Sequence, residues 1–247
     1  MAHYKSIIAY DGTNYCGFQR QSPESNLRTV QSEIETRLQQ LGWTEDSILA
    51  AGRTDTGVHA SGQVITFNLD WKHTNQELTA AINSGLPNEI SIQSIEEVAN
   101  NFHPRFDAVS RRYNYCIYIQ PVRDPLRDRF AWKVWPEVDD DMMNKAARSL
   151  IGNHDFRNFG KPHKTGGSTR RSVIQSEWKR YADNLVYEVE ANAFLYHMVR
   201  RMVKLLVAVG NNRLNVESIK EFLTSKENTI PQGIAPPNGL ILVEVIY

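Results

Sequence analysis

The chain has 247 residues, of which 41% are hydrophobic and 23% are charged, and this balance excludes an intrinsically disordered protein. No run of 18 or more apolar residues occurs, and the N-terminal residues lack the layout of a signal peptide, so neither a membrane span nor secretion is expected. The cysteines, Cys16 and Cys116, have no paired or metal-ligand spacing. This favours a reducing, cytoplasmic location and argues against a structural zinc.

The net charge is zero, because 28 basic residues balance 28 acidic ones, so the charge total predicts no particular partner. The basic residues nevertheless concentrate in two segments, 103–133 and 157–180. Such segments are typical either of ordinary solvated faces or of one surface that binds a polyanion. Charge alone leaves both interpretations open.

The first part of the chain predicts the order strand, helix, strand, strand, helix, strand. Apolar residues at helical spacing predict the helices, and alternating or continuous apolar runs predict the strands. The predicted strands cover residues 4–10, 47–52, 63–69 and 89–98, and the predicted helices cover residues 29–42 and 75–87.

The second part predicts a similar order, with a strand, a helix, a hairpin, two helices and a final strand. These elements cover residues 110–119, 139–152, 171–181, 184–193, 194–210, 215–225 and 239–247. The repeated order predicts an α+β fold with two tandem ferredoxin-like halves, 1–108 and 109–247, that share a central antiparallel sheet flanked by helices. No repeat is visible at the level of individual residues.

The segment AGRTDTGVHASGQV, residues 50–63, places Arg53 and Asp55 in a tight loop between two glycines. A carboxylate in such a loop can act as a nucleophile if a cation keeps it charged and oriented, and glycine allows a ligand to approach closely. The alternative is a structural turn in which Asp55 bonds to nearby backbone amides. Spacing alone favours the structural turn.

The predicted helix at 194–210 carries a basic stripe of His197, Arg200, Arg201 and Lys204 opposite its apolar face. Arginine can pair with a carboxylate or with a phosphate, because its planar group matches the oxygens of both. The stripe could equally be a solvated face.

Tyrosines alternate with basic residues in RRYNYCIY, where Tyr113, Tyr115 and Tyr118 occur. A tyrosine at the edge of a sheet can stack on an extruded base, although we expect most of these tyrosines to pack in the core. The histidines lack metal-ligand spacing, so no metal is predicted, and no phosphate-binding loop or dinucleotide motif is present.

Several motifs, in the same order, closely resemble those of the tRNA pseudouridine synthase A family. The 50–63 segment is similar to the catalytic motif of that family. Five further segments match along nearly the whole chain: YDGTNYCGFQRQ, FHPRFDAVSRRYNYCIY, LIGNHDFRNF, ANAFLYHMVRRMV and GLILVEVIY. Departures are modest, such as Thr56 and Ala60 where alanine and glycine are common.

The resemblance implies a role for each matching residue. Asp55 matches the catalytic aspartate, Arg53 the arginine that helps displace the target base, and Arg200 the basic partner of the aspartate. Tyr113 matches the tyrosine that stacks on the target uracil, and Leu242 falls in the apolar motif under that base. Contacts with RNA phosphates are expected from seven further basic residues: Arg111, Arg112, Arg201, Lys204, Lys164, Arg170 and Arg171.

The resemblance also implies a cofactor-free tRNA pseudouridine synthase. Its expected substrate is the anticodon stem-loop at uridines 38, 39 and 40, and its expected state is a homodimer. Two other hypotheses stay open. One is a noncatalytic RNA-binding module on the same scaffold, because a fold does not fix an activity. The other is a metal-assisted phosphohydrolase that uses Asp55 and nearby histidines.

Overall fold

A computed structural model describes residues 1–21, 27–162, 164–226 and 230–247. The described chain forms two compact units, of which the first combines Met1–Val109 with Ile241–Tyr247 and the second is Ser110–Leu240. The sequence-based division assigned the final strand to the second half. The structure groups residues 241–247 with the first unit instead, because this strand pairs in parallel with a strand of that unit.

The first unit has the predicted β-α-β-β-α-β order. Its elements are β1 (Ala2–Tyr10), α1 (Val30–Gln40), β2 (Leu49–Ala50), β3 (His59–Leu69), α2 (Asn75–Asn83) and β4 (Ile90–Glu97). The second strand is much shorter than the predicted 47–52, and the third begins four residues before the predicted 63–69.

Strand β3 organises the sheet of the first unit. It pairs antiparallel with β1 and with β2, and β1 pairs antiparallel with β4 on its other side. Helix α1 packs Ile34 and Leu38 in the core, and Thr29 caps its first turn through a reciprocal bond with Ser32. The apolar spacing that predicted this helix therefore marks its buried face.

The second unit contains most of the remaining elements. They are β5 (Ser110–Ile119), β6 (Trp132–Val134), α3 (Asp140–Arg148), β7 (Gly152–Asp155), β8 (Arg170–Tyr181), β9 (Asn184–Ala191), α4 (Met198–Gly210) and α5 (Ser218–Thr224). Strand β10 (Leu240–Ile246) then follows a short 3₁₀ turn.

The sheet of the second unit runs β5-β9-β8-β7 with antiparallel pairs throughout. Strand β6 lies beside β5 in parallel register. The sequence predicted neither β6 nor β7, because both are short and lack a regular apolar alternation. The predicted α+β class is confirmed, since both units combine helices with a mainly antiparallel sheet.

Helix α4 begins at Met198 rather than at the predicted residue 194. His197 has a φ of 64°, in the left-handed region, and therefore cannot continue a right-handed helix. The predicted apolar face is correct, because Met202, Leu206 and Val209 are completely buried. Among the described residues, no helix is both long and apolar enough to cross a membrane.

Candidate active site

The Arg53–Asp55 segment lies in the loop that connects β2 to β3. Arg53 is exposed and Asp55 is half-buried. The amide of Val58 donates to the Asp55 carbonyl over 3.1 Å, which closes a turn around Gly57 at a φ of 76°. Asp55 therefore occupies a defined turn at the entrance to the longest strand of the first unit.

The segment between β1 and α1 braces one side of this loop. The amide of Phe18 donates to the Thr54 carbonyl over 3.1 Å, and the amide of Gly57 donates to the Tyr15 carbonyl over 3.4 Å. The Tyr10 hydroxyl and Thr54 Oγ1 lie 2.8 Å apart in the buried interior. The N-terminal motif thus fixes the backbone on both sides of Asp55.

Glycine is required at two positions in the segment between β1 and α1. A Cβ atom on Gly12 would overlap the Val58 carbonyl. A Cβ atom on Gly17 would lie 2.9 Å from the Thr54 carbonyl oxygen, and Gly17 also has a φ of +89°. The two backbone segments can approach this closely only because both residues lack a side chain.

Strand β3 holds the other side of the loop. Gln63 Nε2 donates to the Gly52 carbonyl over 3.0 Å, and the Ala51 amide donates to the Val64 carbonyl over 2.9 Å. Leu242 of β10 lies opposite Ala60 in parallel register and is completely buried. The predicted apolar residue therefore packs two positions beyond the end of the Asp55 turn.

Buried His59 connects the segment between β1 and α1 to strand β3. Its Nδ1 atom accepts a bond from the Gly12 amide over 3.0 Å and lies 3.1 Å from a carboxylate oxygen of Asp11. These contacts could not be predicted from spacing, because they join residues distant in sequence. His59 and Asp11 join the start of β3 to the residues that follow β1.

Tyr113 lies on β5 of the second unit and is half-buried. Its ring meets that of Phe194 edge to face, with centroids 5.1 Å apart. Tyr115 and Tyr118 are completely buried, which confirms the expectation that most of these tyrosines pack in the core. Tyr113 keeps part of its ring accessible beside an aromatic neighbour.

Arg200 is held within the second unit by the segment that precedes β10. Its Nε donates to the Ala235 carbonyl over 2.8 Å, and its own carbonyl accepts from the Ala235 amide over 3.0 Å. The Tyr115 hydroxyl donates to the neighbouring Pro236 carbonyl. Burial raises the pKa of Tyr115, and the positive charge of Arg200 opposes that rise.

Arg112 forms an internal ion pair. Its Nη2 lies 2.9 Å from a carboxylate oxygen of Glu190, and Ser110 donates to the other oxygen over 2.6 Å. Burial raises the pKa of Glu190, but these hydrogen bonds and the charge of Arg112 outweigh burial and leave the pKa lowered. Arg112 therefore stabilises the pairing of β5 with β9.

The other basic residues predicted near the helix also have partners within the unit. Arg111 donates to the Asn192 carbonyl, and Arg201 donates to the Asn158 carbonyl. The Lys204 ammonium lies 5.4 Å from the centroid of the Trp132 ring. The basic stripe is therefore half-buried and is not a simple solvated face.

Of the seven basic residues predicted to contact phosphates, Lys164, in the loop between β7 and β8, and Arg170, at the start of β8, are exposed. Arg171 is half-buried and donates to the carbonyls of Ser168 and Arg170, and burial lowers its pKa. Lys164 and Arg170 therefore present most of the accessible positive charge around the start of β8.

Asp155, the last residue of β7, forms hydrogen bonds at the start of the loop between β7 and β8. Replacing it should change how the free energy of unfolding depends on pH. It accepts from Arg157 Nε over 2.9 Å and from Thr169 Oγ1 over 2.6 Å. The hydrogen bond from Arg157 lowers the pKa of Asp155 most, burial opposes it, and the bond from Thr169 assists, so that the pKa is about 2.

We expect Asp155→Asn to lower the free energy of unfolding at pH 7 by about 1–2 kcal/mol, after allowance for partial solvent screening. The folded pKa lies below the unfolded one, so the stabilisation is complete above pH 4 and is lost as the pH falls through 2. Urea unfolding of both proteins between pH 7 and pH 3 measures this difference. A difference that stays constant over that range would contradict the assignment.

Within the described stretches, no group of three or more His, Cys, Asp or Glu side chains is arranged to hold a metal ion.

Residues 7–107 and 146–247 match the tRNA pseudouridine synthase family model. The chain belongs to the tRNA pseudouridine synthase family. The resemblance inferred from the motifs is thereby confirmed, and so is the expectation of an enzyme of the isomerase class. The matched ranges include the Asp55 loop, Arg200 and Leu242, whereas Tyr113 lies between them.

Named tRNA pseudouridine synthases are similar to this family member over almost their full length. The tRNA pseudouridine synthase A of Colwellia psychrerythraea is 37% identical over 244 residues, covering 99% of this chain and 93% of the relative. That of Thermotoga petrophila is also 37% identical, and all of both chains is covered. That of Pseudoalteromonas atlantica is 37% identical over 97% of this chain and 90% of the relative.

Proposed function

We propose that this synthase converts uridine to pseudouridine at positions 38, 39 and 40 in the anticodon stem-loop of tRNAs. The observation that carries the proposal is the Asp55 turn, fixed from one side by residues 10–18 and from the other by β3, in a chain that matches the family almost from end to end. A reactive carboxylate needs such a fixed backbone, because small displacements of a reacting group reduce rates strongly.

The reaction breaks the bond between N1 of uracil and C1′ of ribose and forms a bond between C5 and C1′. The base rotates between the two steps, C5 loses its proton and N1 gains one, so the reaction is an isomerisation. We propose Asp55 as the nucleophile, and attack at C1′ or at C6 are both consistent with that role.

A uridine in a helical stem must leave the base stack before it can react, at a cost of a few kcal/mol. Exposed Arg53 is suited to fill the gap, and the accessible part of Tyr113 is suited to stack on the extruded uracil. Leu242 would contribute an apolar floor. The resemblance assigns Arg200 to Asp55 as its basic partner, and this pairing stays a prediction.

Phosphate contacts would hold the rest of the tRNA without reading its sequence. The exposure of Lys164 and Arg170 supports this role for them. Arg112 is less suited, since its charge is already paired with Glu190. The proposed homodimeric state rests on the resemblance, and the proposed cytoplasmic location rests on the unpaired spacing of the cysteines.

Tritium release tests the substrate assignment. A tRNA transcript with tritium at uracil C5 is incubated with the protein and a chelator, and released tritium is counted. We expect release from a transcript that carries uridine at positions 38–40 and none above background when those uridines are cytidines. Equal release from both transcripts would contradict the anticodon assignment, and no release from a protein that binds the tRNA would favour the binding-module hypothesis.

A further inference from the structure

An exposed aromatic stack lies in the second unit, in the connection from β9 to α4. The rings of Tyr196 and His197 lie 3.7 Å apart at an interplanar angle of 26°. Tyr196 is 47% exposed, so this stack is outside the core. Core packing accounts for most aromatic side chains, but it does not account for an exposed pair of this kind. The pair leaves aromatic surface available to a ligand.

The backbone holds the stack in a fixed position. The Tyr196 amide donates to the Lys161 carbonyl over 2.9 Å, and the two residues form an isolated antiparallel bridge. A Cβ atom on Gly160 would lie 2.6 Å from the Tyr196 carbonyl oxygen, so the two segments are in close contact. Because the connection is already ordered, binding through it would lose little conformational freedom.

His197 adds a second sign of a constrained segment. Its φ of 64° is uncommon for a residue other than glycine, so the backbone is strained here. Such strained positions cluster at ligand-binding segments, and here the strain turns the chain from the stack into α4.

Accessible cations accompany the stack. Lys161, whose backbone pairs with Tyr196, is exposed, Lys164 is exposed in the same loop, and Arg170 is exposed at the start of β8. Aromatic faces beside a basic loop are the combination that binds single-stranded nucleic acid, because bases stack on the rings while the backbone phosphates meet the cations. A peptide partner would have less use for this density of positive charge.

The stack is also close in sequence to Phe194, the aromatic neighbour of the proposed base-binding Tyr113 in the same unit. Phe194 meets the ring of Tyr113, and Tyr196 follows two residues later, a span of about 7 Å at most. One RNA strand can therefore contact both aromatic positions.

We propose that the Tyr196–His197 stack binds an unpaired nucleobase of the RNA substrate, near the nucleotide at Tyr113. The proposal rests on the proposed function and extends it from the reacting uridine to a neighbouring position in the loop of the RNA. Tyr196 is a binding residue in this scheme and takes no part in the isomerisation.

The test compares Tyr196→Ala, Tyr196→Phe and wild type in binding an unmodified tRNA transcript at several salt concentrations. We expect Tyr196→Ala to weaken binding about 5- to 100-fold and Tyr196→Phe to bind within about twofold of wild type. The slope of log affinity against log salt should stay unchanged in both, since no phosphate contact is lost. Lys164→Gln should instead reduce that slope by about one.

Tyr181→Ala is the matched control, since Tyr181 is 57% exposed at the far end of β8 in the same unit. It should bind like wild type. In tritium release, Tyr196→Ala should raise KM and leave kcat unchanged.

Unchanged affinity of Tyr196→Ala would overturn the proposal, and so would an equal loss in Tyr181→Ala. A changed molecular mass in solution with unchanged affinity would overturn it too, because Tyr196 would then belong to a contact between copies of the chain. The affinity measurement needs no turnover, so a wild-type protein without tritium release would refute the proposed function and still decide the role of the stack.

Discussion

Asp55→Asn should abolish tritium release while tRNA binding persists. The amide keeps the size of the side chain and loses the negative charge and the nucleophilic oxygen, so kcat should fall on the order of 1,000-fold or more. The backbone bonds that hold the turn do not involve this side chain, so the fold should be retained. Single-turnover tritium release and filter binding measure the two properties separately.

Asp46→Asn is the control for this variant. Asp46 is exposed in the same unit, and the bond it accepts from Arg20 uses its backbone carbonyl, which the substitution leaves intact. Activity of the control should equal that of wild type. Substantial turnover by Asp55→Asn would exclude this carboxylate as the nucleophile.

Gly17→Ala should reduce both stability and activity. The new methyl group would press on the carbonyl of Thr54, and a non-glycine residue at a φ of +89° is strained in addition. Together these effects should lower the free energy of unfolding by about 2–4 kcal/mol. The methyl group also displaces the backbone beside Asp55, so kcat/KM should fall about 10- to 100-fold.

Gly42→Ala separates the two causes. Gly42 has a φ of +93°, but no atom lies within 4 Å of the position that its Cβ would occupy. This variant should show the strain, about 1–2 kcal/mol in urea unfolding, with unchanged activity. If both variants lose activity to the same extent, the contact between Gly17 and the Asp55 loop is not what positions the carboxylate.

The sequence predicts those parts of the fold that have a strong local period. Helix α1 and the apolar face of α4 follow from spacing, because the same residues that repeat at 3.6 positions are the buried ones. The start of α4 does not follow, since it depends on the positive φ of His197 and on contacts of the preceding Leu195 and Tyr196 with the loop at 160–161. Strand β10 could not be assigned to the first unit, because its apolar sequence would suit either sheet.

The candidate site, like the fold, can be predicted from the sequence only in part. The Arg53–Asp55 motif and its resemblance to a family identify the loop, whereas spacing alone favours a structural turn. The need for glycine at positions 12 and 17 arises only when residues some 40 positions apart in sequence meet in the structure. The ion pair between Arg112 and Glu190 was missed for the same reason, since it joins two strands.

Because β10 pairs in parallel with β3, the sheet of the first unit is complete only when a strand that follows the second unit in sequence is present. Leu242 lies opposite Ala60, and the Ile246 carbonyl accepts from the Val109 amide over 2.7 Å. As the ribosome makes the chain from its N-terminus, residues 1–109 emerge long before the strand that completes their sheet. The Asp55 loop therefore reaches its final support only after the second unit and then β10 have been translated, so the proposed active site is completed later than the sequence position of Asp55 suggests.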